Sequence, residues 1–324
     1  MQQTIKWGII GCGSVTEIKS GPAYKMTDGL ELFAVMRRNL ELAEDYASRH
    51  QVPNFYNDAD ALINHPNIDA VYIATPPDTH KYYALKVAKA GKICCIEKPM
   101  ASNYQDCVAI NNAFEEKGLP LFVAYYRRSL PRFNKVKSLL ETETIGDVRH
   151  ISWYLSRTAS DLDKSDTYNW RTDEDIATAG YFDDLASHGL DLFTYLLGDI
   201  SEANGISDNQ QNLYTSKDII SGSWKHQSGV LGSGMWSFGT YQREDKVRII
   251  GSDGEITFSV FLEEPITVIN SDGEETFYID NPKHIQQYHI ENMMKHLSVD
   301  FKHPSTGSTA THTAWVMDKI LSKI

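Results

Sequence analysis

The chain has 324 residues, 41% hydrophobic and 23% charged, with 31 Lys and Arg against 43 Asp and Glu for a formal net charge of −12. At roughly 150 residues per domain this length predicts two domains with a full buried core. An acidic chain without a block of clustered Lys and Arg is repelled by nucleic-acid phosphates, so no nucleic-acid partner is expected. No apolar run approaches the roughly 20 residues that span a bilayer, so no membrane partner is expected either. The first six residues lead into an apolar strand pattern without a signal-peptide core. Cys12, Cys94, Cys95 and Cys107 show no Cys-x-x-Cys spacing. They read as core thiols of a reducing compartment, which implies a cytoplasmic protein with no metal site.

Short apolar runs at 7–10, 30–36, 70–74, 93–96 and 121–124 are rich in β-formers and lack polar alternation. Strands covered on both faces have this pattern. Helical patterns at 40–50, 79–90 and 104–117 separate them, the last two ending at Gly91 and Gly118 as glycine C-caps. The alternation predicts a doubly wound α/β domain with a parallel sheet over residues 1–124. Beyond it the rhythm changes. A helix near 130–141 precedes a strand at 147–158, a polar irregular loop at 159–178 and a helix at 184–197. From 200 to 281 come strand-like runs divided by Ser228-Gly229, Ser252-Asp253-Gly254 and Ser271-Asp272-Gly273. Consecutive strands with tight turns predict an antiparallel sheet. Helices at 285–298 and 308–323 close the chain, so residues 125–324 read as one α+β domain.

Gly8-Ile9-Ile10-Gly11-Cys12-Gly13-Ser14-Val15-Thr16 stands where the first strand gives way to the first helix. Gly11 permits a tight turn, and Gly13 lets the backbone approach a pyrophosphate at the helix N-terminus. The third small position of the pattern is Thr16. An NAD site usually places a carboxylate at the end of the second strand for the ribose 2′-hydroxyl. This chain has Met36-Arg37-Arg38-Asn39 there. A guanidinium grips a 2′-phosphate where a carboxylate repels it, and the second arginine can stack on adenine. The pair predicts NADP in preference to NAD.

Two further segments are more specific. One is Ala74-Thr75-Pro76-Pro77-Asp78-Thr79-His80, followed by Glu97-Lys98-Pro99; the other is Ala179-Gly180-Tyr181-Phe182-Asp183-Asp184-Leu185-Ala186-Ser187-His188-Gly189. With the glycine loop, they resemble the glucose-fructose oxidoreductase / inositol dehydrogenase / rhizopine catabolism (Gfo/Idh/MocA) family. The resemblance runs along nearly the whole chain and is firmest at 7–128 and 170–197. It implies a Rossmann domain followed by a substrate domain with a large, mostly antiparallel sheet that pairs subunits into a homodimer or homotetramer. By position, it implies that Gly11, Gly13, Ser14 and Val15 line the pyrophosphate and Arg37 and Arg38 the adenosine phosphate. It further implies that Thr75, Pro76 and His80 border the cofactor, that Glu97 and Lys98 lie beside the nicotinamide, and that Trp170-Arg171 reaches it. Two departures stand out. Thr178-Ala179-Gly180 replaces a Gly-Gly-Gly, and Tyr125-Tyr126-Arg127-Arg128 replaces an Asn- or His-rich segment, which makes Tyr126 and Arg127 candidate substrate contacts.

Hydride chemistry at a C–O carbon needs a proton-transfer group on the oxygen and a positive charge beside it. His188, with a reference pKa of roughly 6.5, suits the first role. Asp184, one helical turn earlier, is placed to orient the imidazole or to bind a substrate hydroxyl. Lys98, at a strand end where the α/β crevice opens, suits the second. The leading expectation is an NADP(H)-dependent oxidoreductase of a sugar, sugar derivative or cyclic polyol. The rivals are a redox glycosidase that retains NAD, which the arginine pair disfavours, and a dinucleotide-sensing regulator, which would dispense with Lys98 or His188. His284, His289 and His296 lie five and seven apart and read as surface or packing residues.

Overall fold

The computed structural model describes residues 4–165 and 167–324. It forms two compact units: residues up to 129 with 282–311, and residues 130–281 with 312–324. This differs from a division at 124/125, because the segment 282–311 returns to the first unit. No helix among the described residues is long and apolar enough to cross a membrane.

The first unit holds β1 Ile5–Ile10, β2 Leu30–Met36, β3 Asn54–Tyr56, β4 Ala70–Ile73, β5 Ile93–Ile96 and β6 Leu121–Val123. They form one parallel sheet in the order β3-β2-β1-β4-β5-β6. This is the Rossmann order, whose ligand crevice opens at the strand reversal, beyond the carboxyl ends of β1 and β4. β4 and β6 are buried at every residue, as continuous apolar runs in a two-sided sheet require. β3 has no counterpart among the expected strands: it is three residues long, half-buried and without an apolar run. Gly91 and Gly118 take φ of 72° and 61°, the left-handed C-caps expected of them.

One face of this sheet carries Trp7, Tyr72, Cys95 and Phe122; Tyr24 of the helix Gly21–Met26 and Ile290, Met293 and Met294 of the helix Gln287–Ser298 pack in the same core. Trp7, Tyr24 and Tyr72 form a run with ring centroids 5.0 and 5.5 Å apart. The returning helix therefore completes the Rossmann core.

The second unit holds β7 Val148–Arg157, β8 Ile200–Asp208, β9 Ile219–His226, β10 Leu231–Phe238, β11 Glu244–Gly251, β12 Gly254–Phe258, β13 Ile266–Asn270 and β14 Gly273–Phe277. Their order is β14-β13-β12-β11-β7-β10-β9-β8. All neighbours are antiparallel except β7 and β10, so the sheet is mostly antiparallel, as the turn spacing predicts. Alternation divides its faces. Ile151, Trp153, Trp224, Trp236, Val247, Ile249 and Ile256 are buried on one side. On the other, one cross-strand row reads Asn204, Ser223, Ser233, Ser152, Arg248, and the next Ile206, Ser221, Met235, Tyr154, Lys246.

The short helix Ser14–Ile18 behind the glycine loop is anchored electrostatically. Arg49 grips both oxygens of Glu17 at 2.9 and 2.8 Å, and His50 Nε2 reaches Glu17 at 2.7 Å. The Arg49 hydrogen bonds pull the Glu17 carboxyl down to about 2, against the effect of burial and with help from His50. A carboxyl lower in the folded than in the unfolded chain stabilises above its unfolded value and loses that contribution as pH falls. Wild type should therefore melt above Glu17→Gln at neutral pH, and the difference should vanish as pH falls from about 4.5 towards 2; calorimetry across that range measures it.

Candidate active site

In the first unit the site is built where β1 and β4 release the chain. Gly11 has φ of 91°, and a Cβ on it would stand 2.9 Å from the Ala74 carbonyl. Only glycine lets these two strand exits meet. The Gly11 and Cys12 amides donate to the Met36 carbonyl at 2.9 and 3.2 Å, which ties the loop to the end of β2. At Gly13 the space is open: an added Cβ would have the Gly11 oxygen at 3.8 Å as its one neighbour within 4 Å. Ser14 and Val15 open the helix, and Thr16 turns its hydroxyl back onto the Gly13 carbonyl at 2.9 Å. Cys12 is fully buried, and burial raises its thiol to about 11 although Arg37 pulls the other way. It is a packing thiol.

Arg37 and Arg38 follow β2 and are exposed. Asn39 caps the next helix by accepting from the Leu42 amide at 3.1 Å. Beside Arg38 lies a cavity of about 440 Å³ lined by Asn57, Asp58, Asp60, Tyr82 and Lys86.

Beyond β4 Thr75 is partly exposed and Pro76 exposed, with Thr79 Oγ1 donating to the Pro76 carbonyl at 2.8 Å. His80 is fully buried instead. Its Nε2 faces the Thr75 carbonyl at 2.7 Å and its Nδ1 the Pro99 carbonyl at 3.0 Å. Burial lowers its basicity, and the two carbonyls oppose that. The imidazole braces the exits of β4 and β5, and no ligand reaches it in this arrangement.

Glu97 is buried at the end of β5, and its carboxylate is fully engaged. Oε1 accepts from the Tyr72 hydroxyl at 2.5 Å and from the Gln286 amide at 2.7 Å, and Oε2 accepts from the Lys98 backbone N–H at 3.1 Å. Lys98 is half-buried beside it. Tyr126 and Arg127 lie in a single helical turn, 8% and 5% exposed, with the guanidinium 5.0 Å from the Tyr126 ring centre. Both present little surface.

In the second unit the expected helix at 184–197 begins as a π-helical turn, Phe182–Ala186, and continues as the α-helix Ser187–Leu197. The wider turn alters the simple spacing between Asp184 and His188. Asp183 points inward: its Oδ2 accepts from the Ala179 amide at 2.9 Å, and burial raises its carboxyl. Asp184 meets Arg171, whose Nε donates to Oδ2 at 3.0 Å while the guanidinium lies 4.2 Å from the Trp170 ring centre. His188 is 4% exposed, with Phe261 edge-on at 5.8 Å. The next residue must be glycine, because a Cβ at Gly189 would stand 2.3 Å from the Trp153 ring. Trp153 donates to Asp245 at 2.9 Å, and Asp245 also holds the Phe261 amide at 2.6 Å. The surroundings of His188 thus hang on one buried carboxylate.

Residue spacing does not reveal Gln286, Tyr72 or Asp245. No group of three His, Cys, Asp or Glu side chains suited to a metal ion occurs among the described residues. His284 Nδ1 donates to the Ile18 carbonyl at 2.6 Å, His289 is buried, and His296 accepts from the His303 amide at 3.2 Å.

A family model described as oxidoreductase family, NAD-binding Rossmann fold, matches residues 5–125, and one for the GFO/IDH/MocA C-terminal domain matches residues 133–257. The chain is 37% identical over 319 residues to oxidoreductase P35 of Formosa agariphila, covering 98% of each. It is 31% identical over 173 residues to levoglucosan dehydrogenase of Pseudarthrobacter phenanthrenivorans, 53% of this chain and 44% of that one. A solved levoglucosan dehydrogenase in complex with NADH and levoglucosan has the same fold, with a TM-score of 0.89 at 22% identity, covering 99% of this chain and 96% of that chain. With a Rossmann sheet, a glycine loop and a second domain that all match, this chain belongs to the Gfo/Idh/MocA family of NAD(P)-binding oxidoreductases.

Proposed function

We propose that this oxidoreductase is cytoplasmic, prefers NADP(H) over NAD(H), and transfers hydride to or from a C–O carbon of a sugar, sugar derivative or cyclic polyol. The observation that carries the cofactor reading is the exposed Arg37-Arg38 pair at the end of β2, where an NAD site places a carboxylate. The open space over Gly13 is a cradle for a phosphate group. In this reading Gly11, Gly13, Ser14 and Val15 hold the pyrophosphate, and Arg37 and Arg38 hold the 2′-phosphate. Thr75, Pro76, Glu97, Trp170 and Arg171 border the nicotinamide end. His80 acts behind Thr75 and Pro99 as a brace.

A bound nicotinamide supplies or receives the hydride. Lys98 sets an ammonium beside the reacting oxygen and favours the charge that grows there during reduction. His188 gives that oxygen its proton in reduction and takes it in oxidation. Asp184, held by Arg171 on one oxygen, orients the imidazole or a substrate hydroxyl. Tyr126 and Arg127 shape the substrate end. A substrate dense in hydroxyls suits these polar groups, and the levoglucosan dehydrogenases among the relatives fit the same class.

The open face of the eight-stranded sheet is the proposed subunit interface. Its central rows carry small Ser side chains beside Met235 and Tyr154, and they line a concavity of about 450 Å³. Side chains that short let a second flat sheet approach closely.

Replacing Arg37 and Arg38 together with alanine should weaken NADPH binding on the order of 10²-fold and leave NADH nearly unchanged. Fluorescence titration with both cofactors measures this, and equal weakening would discard the NADP assignment. Across a panel of ketoses, anhydro-sugars, inosones and aldonolactones, His188→Ala should lower turnover of the best substrate by on the order of 10²–10⁴ with NADPH binding retained. A fully active variant would end that role. Sedimentation at micromolar concentration should give a dimer or tetramer that Ser233→Arg drives towards monomer; a monomeric wild type would refute the interface.

A further inference from the structure

We infer that Gln286 is a positioning residue for hydride transfer: its side-chain amide fixes the Glu97 carboxylate, and through it the main chain that carries Lys98. The inference rests on the proposed role of Lys98. Gln286 is 2% exposed and stands just before the helix Gln287–Ser298, in the segment that returns to the Rossmann unit. Its amide nitrogen donates to Glu97 Oε1 at 2.7 Å, and its backbone N–H donates to the Lys19 carbonyl at 3.1 Å. Two residues earlier, His284 Nδ1 lies 2.6 Å from the Ile18 carbonyl. Ile18 ends the helix that opens at the glycine loop. One turn of chain therefore clasps the far end of the phosphate-loop helix and, through Gln286, the end of β5.

The chemistry explains why the residue is an amide. Glu97 is 6% exposed, and a buried carboxylate keeps its charge only while donors replace water. Without the Gln286 amide, Oε1 retains the Tyr72 hydroxyl alone among its hydrogen bonds here. The carboxylate is then free to rotate and release the Lys98 N–H on Oε2. A shift of about one ångström in a catalytic group costs on the order of 10²-fold in rate. Leucine or methionine would fill the same space and supply no donor. The titratable groups facing this carboxylate are Tyr24, Tyr72, Cys95 and His80, with Lys98 next to it. Burial raises the first three and lowers His80.

Gln286→Glu is the decisive variant, with Gln286→Met beside it. In the first, a protonated carboxyl in place of the amide still donates to Glu97; an ionised one repels it. The introduced pair takes up a proton in the folded protein, so the stability it adds is present at low pH and lost as pH rises. Two readouts follow from about pH 6 to about pH 9: melting temperature of the cofactor-free protein, and turnover of levoglucosan with NADP⁺ or NAD⁺, or of the best panel substrate. In Gln286→Glu both should fall with rising pH relative to wild type, turnover by roughly tenfold, with NADPH affinity by fluorescence unchanged. Gln286→Met should lose turnover at every pH without the added titration. If melting responds to pH while turnover per folded enzyme does not, the contact is structural only and the inference fails. If neither responds, the contact itself is absent and it fails again. Lys98→Ala separates the two readings: full turnover there removes the role of Lys98 independently of anything seen at Gln286.

Discussion

A carboxylate buried at the end of β5 sets the terms for the first unit. Glu97 has almost no access to water, and an unpaired charge in that setting costs several kcal/mol. Its donors come from three places: a hydroxyl on β4, the next peptide of its own chain, and an amide about 190 residues further on. The hydrophobic core brings them together. Tyr72 is held in the Trp7–Tyr24–Tyr72 run, and Ile290, Met293 and Met294 lay the returning helix on that same aromatic surface. Packing and site geometry are here one arrangement, because burying the Met residues is what delivers Gln286 to the carboxylate.

The legible parts of this protein are those in which a local pattern has a local cause. Strands buried on both faces must be largely apolar, so β1, β2, β4, β5 and β6 stand out as runs. Gly11 is legible because the turn it makes involves its own backbone. β3 escapes because three half-buried residues carry no period. The return of 282–311 escapes for a different reason: periodicity reveals that a helix has an apolar face and is silent about which sheet that face will cover. Gln286 has no signature at all, since a single amide before a helix is ordinary and its partner is remote in sequence. The π turn at Phe182–Ala186 is hidden likewise, because one residue more per turn leaves the apolar spacing of the following helix intact.

Adjacent aspartates in the second unit show how that turn divides labour. Asp183 faces the interior, where burial raises its carboxyl, while Asp184 faces Arg171. The Trp170-Arg171 turn is itself braced: Asn169 accepts from the Arg171 amide at 3.2 Å and donates to the Tyr181 hydroxyl at 3.1 Å. Tyr181 donates in turn to Asp163, which Arg157 also meets at 3.2 Å. Burial would raise Asp163, but the Tyr181 hydroxyl, the Ser160 donors and Arg157 together hold it below the ordinary carboxylate range. Asp163 thus ties the turn to Arg157 by way of Tyr181 and Asn169.

The acidic side chains near Arg38 look at first like an argument against a 2′-phosphate. Asp58 and Asp60 both line the neighbouring cavity, and carboxylates repel phosphate. Each is already committed, however. Asp58 accepts from the Asp60 amide at 2.9 Å as a helix cap, and both Asp60 oxygens lie 2.7 Å from the Lys86 ammonium. Capping and pairing spend most of the field those two groups would project. Arg49 is likewise spent on Glu17 and Asp45. Arg37 and Arg38 form no ion pair among the described residues and stand exposed at the end of β2. The local charges thus cancel wherever they serve the fold and remain positive at the end of β2, which is the charge on which the proposed preference for NADP(H) rests.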